Sequence, residues 1–565
     1  MNDISIVLSG EAGQGLKTVE LVLNRILKLA GYNLFATKEY MSRIRGGNNT
    51  TSIRISDSRI STLINRIDIL LVLNKNGLSR LLKRITKNTL IIARRSDVET
   101  ECKNAKCQII DIPFIIFASN IGKAVYANTV AVGVLCGILK VKESIARDYI
   151  KKYFSKKPDE INNNILALSK GYEEGTKIQE KVKTTPKPVS GIKDDLLLNG
   201  TEAIALGAIA GGCNFISSYP MSPSTGVLVS LSKNAEKFGI VAEQAEDEIS
   251  AINMAIGAWY AGARALVTTS GGGFALMGEG LSLAGITETP IVIHLAQRPG
   301  PATGLPTRTE QGDLELALYS GHGEFPRILL APGRIEDGYY LMQKAFDLAD
   351  RFQVPVIVLT DQYFVDSYYN IPSLSLPAKL KNHFIKTEKN YKRYNLIKNG
   401  LSPRGIPGYG KGLVSVDSDE HDQKGHITED LDLRIKITDK RLKKIAEIRK
   451  VIMPPVLTGN KDYKTLLVGW GSTYHVIKEA MENIGRKDLA FLHYNWIWPL
   501  HGDTKKYLKQ AKKTVIIENN ATSQFGKLIR MQTGIDINHR ILKYNGLAFS
   551  VEEMESYIKK ALEAK

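Results

Sequence analysis

The sequence predicts an α/β protein with several doubly wound domains, each built around a mostly parallel β-sheet. Two observations carry this prediction. Apolar runs of roughly four to eight residues, the length of buried parallel strands, alternate along the chain with stretches of helical periodicity. Several of these runs end in glycine, serine or asparagine, so polar residues collect at the strand ends, where doubly wound sheets bind their ligands.

The first block, residues 1–180, opens on the strand pattern ISIVLSG, which a glycine turn joins to the helical stretch LKTVELVLNRILKLAG. Gly31 stands just past the last apolar position and is suited to end that helix. IDILLVLN and NTLIIARR follow as two buried strands. Residues 181–196 are rich in lysine and hold two prolines, so we expect a linker there.

A second α/β block spans residues 197–370, and a third spans residues 456–565. The strand patterns of the second are NFISSYP, ALVTTS, TPIVIHLA and VPVIVLTD, and those of the third are KTLLVGWGST, DLAFLHYNW and KTVIIENNAT. Between them, residues 371–455 are polar, rich in lysine, asparagine, glycine and proline, and lack a clear period over long stretches. We expect an irregular arm or insertion there.

Composition and charge exclude several classes of protein. The 565 residues include 76 lysines and arginines against 58 acidic residues, a net charge of +18. The basic residues are spread in mixed runs typical of solvated helix faces, so we expect no nucleic acid. An acidic protein partner or simply a lysine-rich proteome explains the charge better. The sequence shows neither a long apolar membrane span nor a secretory signal pattern. Four scattered cysteines without a CxxC pair predict a cytoplasmic protein that holds no iron–sulfur cluster by itself.

The turn GEAGQGLKT approaches a phosphate-binding loop but misses its register. Such a loop needs lysine directly after glycine, and here Leu16 separates Gly15 from Lys17. Nucleotide hydrolysis is therefore disfavoured, while anion binding at the helix N-terminus and a purely structural turn both stay open. Arg43 and Arg45 flank a second glycine turn and suit an anion, a partner surface or a solvated turn.

Polar residues that could take part in catalysis or binding follow the strands of the second block. In YPMSPST, prolines fix the backbone while the hydroxyls of Ser222, Ser224 and Thr225 reach the strand end, although one of them could simply cap the next helix. Glu248 opens a helix of small and apolar residues and shares a face with Ile252. A buried carboxylate there suggests catalysis, and a helix-dipole partner is the alternative.

Two loops and one acidic cluster complete the set of candidates. The glycines of SGGG, residues 270–273, allow close approach of a ligand or of another subunit. A constrained loop carries Arg298 and Arg308, which suit a carboxylate ligand unless they pair with Glu310 or Asp313. The cluster DSDEHD has ligand chemistry without metal-site spacing, so we expect a solvated turn and no metal.

Together these motifs resemble the alpha subunits of 2-oxoacid:ferredoxin (acceptor) oxidoreductases, in the form that carries a gamma-type domain ahead of the alpha part. The resemblance covers nearly the whole chain. It rests on motifs that occur in the order GEAGQGLKT, SRIRGGNNT, YPMSPST, EDEISAINMAIGA, TSGGGFALMGEGL, GLPTRTEQGDLELAL, SPRGIPG, DSDEHD, LLVGWGST and VIIENNAT.

The resemblance implies a gamma-type domain in residues 1–180, a thiamine diphosphate pyrimidine-binding domain in 197–370 and a transketolase C-terminal-like domain in 456–565. It implies oxidative decarboxylation of a 2-oxoacid to acyl-coenzyme A, with electrons passed to ferredoxin. Thiamine diphosphate would be shared with a separate beta subunit, which is expected to hold Mg²⁺ and a [4Fe–4S] cluster. The chain agrees, because its nearest approach to the family's diphosphate motif, at Gly502-Asp503, lacks the second glycine.

Carried over residue by residue, Glu248 matches the family glutamate that contacts the pyrimidine ring and favours the tautomer that activates the cofactor. Tyr219, Pro220 and Ser222 match the YPITP stretch beside the cofactor and substrate, with serine where threonine is usual. Arg308 is the first candidate for the substrate carboxylate and Arg298 the second. The glycine run of residues 270–273 also departs from the more usual SGPG-like sequence of the family.

One alternative is a non-catalytic assembly or acceptor subunit of such a complex. Loss of the glutamate or of the strand-end hydroxyl would favour it, and Glu248 and Ser222 are both present. A different thiamine enzyme would need a complete diphosphate motif in the same chain. The motifs do not distinguish 2-oxoglutarate, pyruvate and branched-chain acids as substrates.

Overall fold

The computed structural model describes residues 2–11, 15–41, 47–75, 77–102, 107–376 and 379–564. Arg43 and Arg45 lie outside these ranges, as does the middle of the first glycine turn. The chain forms two compact units. The first unit combines Met1–Leu198, Asp366–Ser373 and Ser550–Glu552, and the second unit combines Asn199–Val365, Leu374–Phe549 and Glu553–Lys565.

The first part of the chain forms β1 (Asp3–Glu11), α1 (Leu16–Leu29), β2 (Asn33–Glu39), β3 (Asn48–Ser56), β4 (Ile69–Val72), β5 (Leu90–Ala93), α2 (Arg95–Cys102), β6 (Gln108–Asp111), α3 (Phe114–Ile121), α4 (Ala127–Ile138), α5 (Glu143–Tyr153), α6 (Ile161–Ile178) and β7 (Leu196–Asn199).

The middle part forms α7 (Gly200–Ala210), β8 (Phe215–Ser218), α8 (Thr225–Lys233), α9 (Ala235–Phe238), β9 (Val241–Gln244), α10 (Glu248–Tyr260), β10 (Ala265–Thr269), α11 (Gly271–Leu276), α12 (Gly278–Ile286), β11 (Ile291–Gln297), α13 (Leu314–Tyr319), β12 (Ile328–Leu330), α14 (Ile335–Phe352), β13 (Pro355–Asp361), α15 (Gln362–Asp366) and β14 (Tyr368–Ile371).

The last part forms β15 (Phe384–Thr387), β16 (Arg404–Gly410), α16 (Leu431–Arg449), β17 (Val456–Gly459), β18 (Thr465–Trp470), α17 (Tyr474–Ile484), β19 (Leu489–Tyr494), β20 (Trp496–Trp498), α18 (Thr504–Gln510), β21 (Lys513–Glu518), α19 (Gln524–Thr533), β22 (His539–Leu542) and α20 (Val551–Glu563).

The first unit contains an eight-stranded sheet in the order β6-β5-β4-β1-β3-β2-β14-β7. Strands β1, β4, β5 and β6 are parallel neighbours, as the alternation of apolar runs and helical stretches predicts. Strands β2 and β3 are antiparallel, so this sheet is mixed rather than fully parallel. Apolar side chains of the sheet, of α1 and of α4 form its core.

Strand β14 joins the sheet of the first unit from a distant part of the chain. It pairs antiparallel with β2, and the Leu34 amide donates to Asn370 Oδ1 at 2.9 Å. Asn370 Nδ2 in turn donates to Asp195 at 2.6 Å, and Asp195 also pairs with Arg59. The predicted range 197–370 therefore ends inside a strand of the first unit.

The second unit contains a seven-stranded sheet in the order β20-β12-β13-β11-β10-β8-β9, in which only β20 is antiparallel. Fully buried His294 of β11 connects its two neighbouring strands at the centre of this sheet. Its ring nitrogens lie 2.8 Å from Thr268 Oγ1 on β10 and 2.8 Å from Thr360 Oγ1 on β13. Because burial lowers the pKa of His294 to about 3, the ring is neutral and can donate to one threonine and accept from the other.

The same unit holds a five-stranded sheet in the order β17-β19-β18-β21-β22, in which all pairs but β17–β19 are parallel. The class of α/β protein predicted from the sequence is thus confirmed: parallel pairs dominate both large sheets of this unit. The likeness of residues 456–565 to a transketolase C-terminal domain stays a prediction.

The arm, residues 371–455, is more ordered than its sequence suggests, because it contains the 19-residue helix α16. This helix lacks an apolar period because lysines occupy two of its buried positions. Lys440 Nζ and Lys444 Nζ lie 2.7 Å and 2.5 Å from the two carboxyl oxygens of Glu288, and all three side chains are buried. Because these ion-paired lysines stand at core positions, the spacing of apolar residues does not indicate the helix.

The acidic cluster of the arm is only in part the solvated turn that we expect from its sequence, because Ser418 and Asp419 are exposed whereas His421 is buried. His421 is fully buried, and its ring centre lies 3.8 Å from that of Tyr394. Glu420 pairs with Arg434 and, at 3.4 Å, with Arg441. Within the described residues, no three histidine, cysteine, aspartate or glutamate side chains are grouped as metal ligands.

Candidate active site

The carboxyl ends of four neighbouring parallel strands form the candidate site. Strands β8, β10, β11 and β13 lie side by side, so the residues that follow them meet at one edge of the sheet. Those residues are the YPMSPST loop after β8, Ser270 and the glycine turn after β10, Arg298 after β11 and α15 after β13. The sequence predicted the first three of these segments as functional.

Glu248 is the first residue of α10 and lies almost entirely inside the protein, with 3% of its surface exposed. Asp247 caps the helix by accepting from the Ser250 amide at 2.7 Å, which leaves Glu248 free of a capping role. Within the described residues, no hydrogen-bond partner contacts Glu248 Oε1. Burial and, to a lesser extent, the negative Asp247 raise the pKa of Glu248, although Arg298 acts against them.

Glycine is required at two positions of α11 because carboxyl groups occupy the space of a side chain. A Cβ at Gly273 would lie 2.4 Å from Glu248 Oε1 and 2.2 Å from Thr269 Oγ1. A Cβ at Gly271 would lie 2.4 Å from both carboxyl oxygens of Asp313. The glycine turn, which the sequence predicted to allow the close approach of a ligand or another subunit, is therefore packed against the side chains of Glu248 and Asp313.

Arg298 connects the glycine turn with the YPMSPST loop. Its Nη1 donates to the main-chain oxygen of Ser222 at 2.8 Å, and its charge acts on both Glu248 and Asp313. Burial lowers the pKa of Arg298, and the two carboxyl groups oppose that shift. Ser222 itself is exposed, as is Tyr219, whereas Pro220 is half-buried.

Arg308 is fixed in a different part of the loop. Its amide donates to Leu305 O at 3.0 Å, and its Cβ lies 3.2 Å from the position of a Cβ at Gly546. The next residue, Thr309, donates its amide to Gly546 O at 3.2 Å. The contact with the main-chain oxygen of Ser222 is made by Arg298.

Gln311 joins the arginine loop to the C-terminal sheet, a role that we did not predict. Its amide donates to Asn519 O at 2.7 Å, and the Asn519 amide donates to Gln311 Oε1 at 2.9 Å. Gln311 Nε2 donates to Trp470 O at 2.9 Å. Three motifs that the sequence marks separately, GLPTRTEQGD, LLVGWGST and VIIENNAT, thus meet at one side chain.

Asp313 is the acidic residue of the site that sequence reasoning treated only as an ion-pair partner. Its amide donates to Gln297 Oε1 at 3.0 Å, which fixes it beside the end of β11. Burial, with help from Glu310, raises the pKa of Asp313 to about 7, and Arg298 acts in the opposite direction. Its position in the motif TEQGDLELAL is the only signal that could have drawn attention to it.

Four buried polar atoms of this site have no hydrogen-bond partner within the described part of the chain. They are Glu248 Oε1, Ser270 Oγ, Arg298 Nε and Asp313 Oδ2. A buried polar group without a partner costs free energy, and such groups gather where a ligand or another chain supplies the missing bonds. The arrangement offers acceptors and a donor to a polar ligand at the strand ends.

Two protein families match large parts of the chain. Residues 206–440, which contain the site, match the thiamine diphosphate-binding domain of pyruvate flavodoxin/ferredoxin oxidoreductase. Residues 5–174 match the pyruvate ferredoxin/flavodoxin oxidoreductase family. The second match covers most of the first α/β block, whereas the first match starts in the second block and extends to residue 440, inside the arm.

Individual relatives extend these matches over the whole chain. The alpha subunit of a 2-oxoacid:ferredoxin oxidoreductase from a Sulfolobus species is 31% identical, over 99% of this chain and 97% of its own. A 2-oxoglutarate synthase subunit from Archaeoglobus fulgidus is 36% identical over 58% of this chain and 88% of its own.

Among solved structures, the 2-oxoglutarate:ferredoxin oxidoreductase of Magnetococcus marinus, determined with 2-oxoglutarate, coenzyme A and succinyl-coenzyme A bound, matches with a TM-score of 0.92. The two chains are 27% identical, and the match covers 100% of each. Similarity of sequence and fold over the full length shows that this chain belongs to the alpha subunits of the 2-oxoacid:ferredoxin oxidoreductases.

Proposed function

We propose that this chain works with a separate beta subunit as a coenzyme A-acylating 2-oxoacid:ferredoxin oxidoreductase. The observation that carries the proposal is the set of unpartnered polar atoms around Glu248, which lies inside the segment that matches a thiamine diphosphate-binding domain. The reaction would convert a 2-oxoacid and coenzyme A into acyl-coenzyme A and CO₂, with electrons passed to ferredoxin.

The residues of the site fit the pyrimidine half of thiamine diphosphate. Glu248 Oε1 is a buried acceptor without a partner among the described residues, and Gly273 leaves it in place beside the strand ends. When bound, thiamine diphosphate supplies the electron sink for breaking the bond between the carboxylate and the carbonyl carbon of a 2-oxoacid. Burial raises the pKa of Glu248 and so favours a proton on this carboxyl, which suits proton transfer to a ring nitrogen.

Arg298 is the better placed arginine for the carboxylate of the substrate. Its guanidinium donates to the YPMSPST loop at Ser222, and its Nε is a buried donor without a partner within the described part of the chain. A guanidinium can bind a carboxylate through two parallel hydrogen bonds. We therefore place Arg298 ahead of Arg308 as the substrate ligand, with Tyr219, Pro220 and Ser222 lining the same end of the sheet.

The first unit has a cavity suited to the phosphate groups of coenzyme A. It has a volume of about 770 Å³, and Gly15 and Thr18 line it at the start of α1. Lys156 and Lys157 contribute positive charge, and Tyr153 contributes an aromatic ring. A helix N-terminus with nearby lysines attracts phosphate, so we assign the binding of coenzyme A to this unit.

The remaining cofactors belong to the proposed partner. We expect the beta subunit to hold Mg²⁺, the diphosphate of the cofactor and a [4Fe–4S] cluster. The net charge of +18 favours docking of an acidic electron carrier such as ferredoxin.

The four cysteines of this chain are all unpaired, which agrees with a reducing, cytoplasmic location. Within the described residues, no helix combines the length and the apolar character needed to cross a membrane.

A pull-down of this chain from its own cells tests the proposal directly. The purified complex is assayed for reduction of a viologen dye that requires both a 2-oxoacid and coenzyme A, with 2-oxoglutarate, pyruvate and branched-chain 2-oxoacids compared side by side. We expect an iron-containing partner and dye reduction. A complex that assembles but reduces no dye with any 2-oxoacid would support the alternative, a non-catalytic assembly or acceptor subunit.

A further inference from the structure

The second unit has a cavity that the candidate active site does not use. It has a volume of about 650 Å³ and is lined by residues of α10, α12, α16 and the loop after α13. The residues that carry the four unpartnered atoms at the strand ends do not line it. Its apolar lining comes from Ile249, Leu283, Ile286 and Phe325. Pockets of this size, with apolar walls and a few polar groups, bind small molecules.

One face of α16 forms the polar side of this cavity. Arg434, Thr438 and Arg441 all line it, at spacings of four and three residues along the helix. Residues at these spacings follow one another on a single face of a helix. The cavity is therefore lined by two guanidinium groups with a hydroxyl between them.

Arg441 carries a hydrogen-bond donor for which the described part of the chain offers no acceptor. The side chain is buried, with 6% of its surface exposed, and its Nη2 donates to Glu420 Oε1 at 3.4 Å. Its Nε has no partner within the described residues, and the same holds for Thr438 Oγ1. Because both residues line the cavity, a ligand bound there can supply the missing acceptors.

The charges around the cavity favour an anionic group on the side of α16. Glu420 pairs with both Arg434 and Arg441, so a single carboxylate opposes two guanidinium groups. Glu279 and Glu324 also line the cavity, but both are exposed, and water and salt screen exposed charges. A buried charge such as that of Arg441 is screened much less.

We propose that this cavity binds a small organic molecule that carries a carboxylate or phosphate group. Oxygens of that group accept from the guanidinium of Arg441 and the hydroxyl of Thr438, and the rest of the molecule lies against the apolar lining. Guanidinium groups bind both kinds of anion through charge-assisted hydrogen bonds. The ligand also contacts α10, because Ile249 lines the cavity and directly follows Glu248. The assignment does not depend on the reaction that the chain catalyses.

Calorimetric titration of the purified complex with inorganic phosphate and with citrate tests this site. Coenzyme A is added at saturation, so that the cavity of the first unit does not contribute to the binding of phosphate. Wild type is compared with Arg441→Gln and Thr438→Val, and Arg449→Gln is the control for loss of one charge. Arg449 is exposed on the same helix, outside the cavity. Arg441→Gln leaves Glu420 its other partner, Arg434.

We expect saturable binding of at least one of the two anions by wild type. Loss of a charged hydrogen-bond donor should weaken that binding about tenfold or more in Arg441→Gln, and loss of one hydroxyl should weaken it about threefold in Thr438→Val. Arg449→Gln should stay within about twofold of wild type, since exposed charges contribute little. Tighter binding of phosphate indicates a phosphorylated ligand and tighter binding of citrate a carboxylic acid, and either result supports the site.

Two results would overturn the inference. One is that neither anion binds saturably, which would mean that the cavity is closed to anions in the complex. The other is equal weakening in Arg441→Gln and Arg449→Gln, which would indicate general electrostatics. If Arg441→Gln does not assemble, Thr438→Val decides alone, because valine keeps the shape of the side chain, and unchanged binding in that variant overturns the inference.

Discussion

The carboxyl group of Glu248 occupies the space that a side chain at Gly273 would need. A Cβ at position 273 would lie 2.4 Å from Glu248 Oε1 and 2.7 Å from its Cγ, well inside van der Waals contact. Position 272, one residue earlier, is open, because the nearest atom beyond its neighbours is Ala302 O at 3.9 Å. The two adjacent glycines therefore differ in whether an alanine side chain would fit, and this difference can be tested.

Gly273→Ala should reduce kcat/KM by about 100-fold, because Glu248 must move and a displacement of 1 Å in a site can have that effect. Gly272→Ala is the matched control and should keep activity within about twofold, with stability raised by about 0.5–1 kcal/mol, since alanine favours the helix. Steady-state kinetics and thermal unfolding of the holoenzyme measure both. Wild-type activity in the Gly273 variant would show that the position of Glu248 does not matter.

Glu248→Gln should lower turnover by about 10³-fold while assembly with the beta subunit stays intact, because the amide keeps the shape but cannot exchange the proton. The folded chain holds a proton on Glu248 more tightly than the unfolded chain does. Ionisation above about pH 4.3 therefore lowers the free energy of unfolding, and the amide removes that loss. At pH 7 the variant should be as stable as wild type or more stable. Near-wild-type turnover would contradict the assigned role.

Arg298→Gln and Arg308→Gln separate the two arginines that the sequence proposed. Loss of hydrogen bonds from a charged group to the substrate should raise the KM for the 2-oxoacid roughly 10- to 100-fold in the Arg298 variant. Arg308→Gln should have a smaller effect, because the loop places that residue beside Gly546. Michaelis constants for the same 2-oxoacid measure both, and the reverse order would return Arg308 to first place.

Charge reversal at Lys156 and Lys157 tests the role of the first unit. Replacing both with glutamate should raise the KM for coenzyme A about tenfold or more, since each lysine–phosphate pair contributes about 1 kcal/mol even in water. Reversal at Lys151 and Lys152, exposed residues outside the cavity, changes the net charge equally and is the control. Equal effects of the two pairs would indicate general electrostatics instead of a site.

The sequence predicted the elements whose pattern is local and missed those defined by distant partners. The alternation of strands and helices predicted the strand-end loops that carry Ser222 and Arg298 and the helix that Glu248 opens. Strand β14 has no such signal, because Asn370 contacts Leu34, 336 residues away in sequence. The ranking of Arg298 and Arg308 as substrate ligands depends on which way one loop turns, and it stays a prediction.

Helix α16 was missed for an energetic reason. Its buried positions Lys440 and Lys444 interrupt the apolar pattern, and they are stable inside the protein only because each contacts Glu288. Arg393 also donates to the main-chain oxygen of Glu288 at 2.7 Å. Patterns of apolar residues do not reveal a core position that is filled by an ion pair. The contribution of this ion-pair cluster to the stability of the second unit can be tested by experiment.

Glu288→Gln should destabilise the second unit by about 3–5 kcal/mol, because it leaves two lysines buried without a counter-charge. Glu447→Gln is the control: it removes the partner of exposed Lys450, at 2.7 Å, and should cost less than about 1 kcal/mol. Urea unfolding and proteolysis of the arm, residues 371–455, measure both.

The effect of Glu288→Gln should also depend on pH. Although burial opposes ionisation, the charges of Lys440 and Lys444 hold the pKa of Glu288 far below its usual range. Its contribution is therefore complete above the unfolded pKa of about 4.3 and is lost as the pH falls toward the folded value. The difference in stability between wild type and Glu288→Gln should shrink below about pH 4. A difference that does not change on acidification would mean that the charge of Glu288 contributes nothing to the docking of α16.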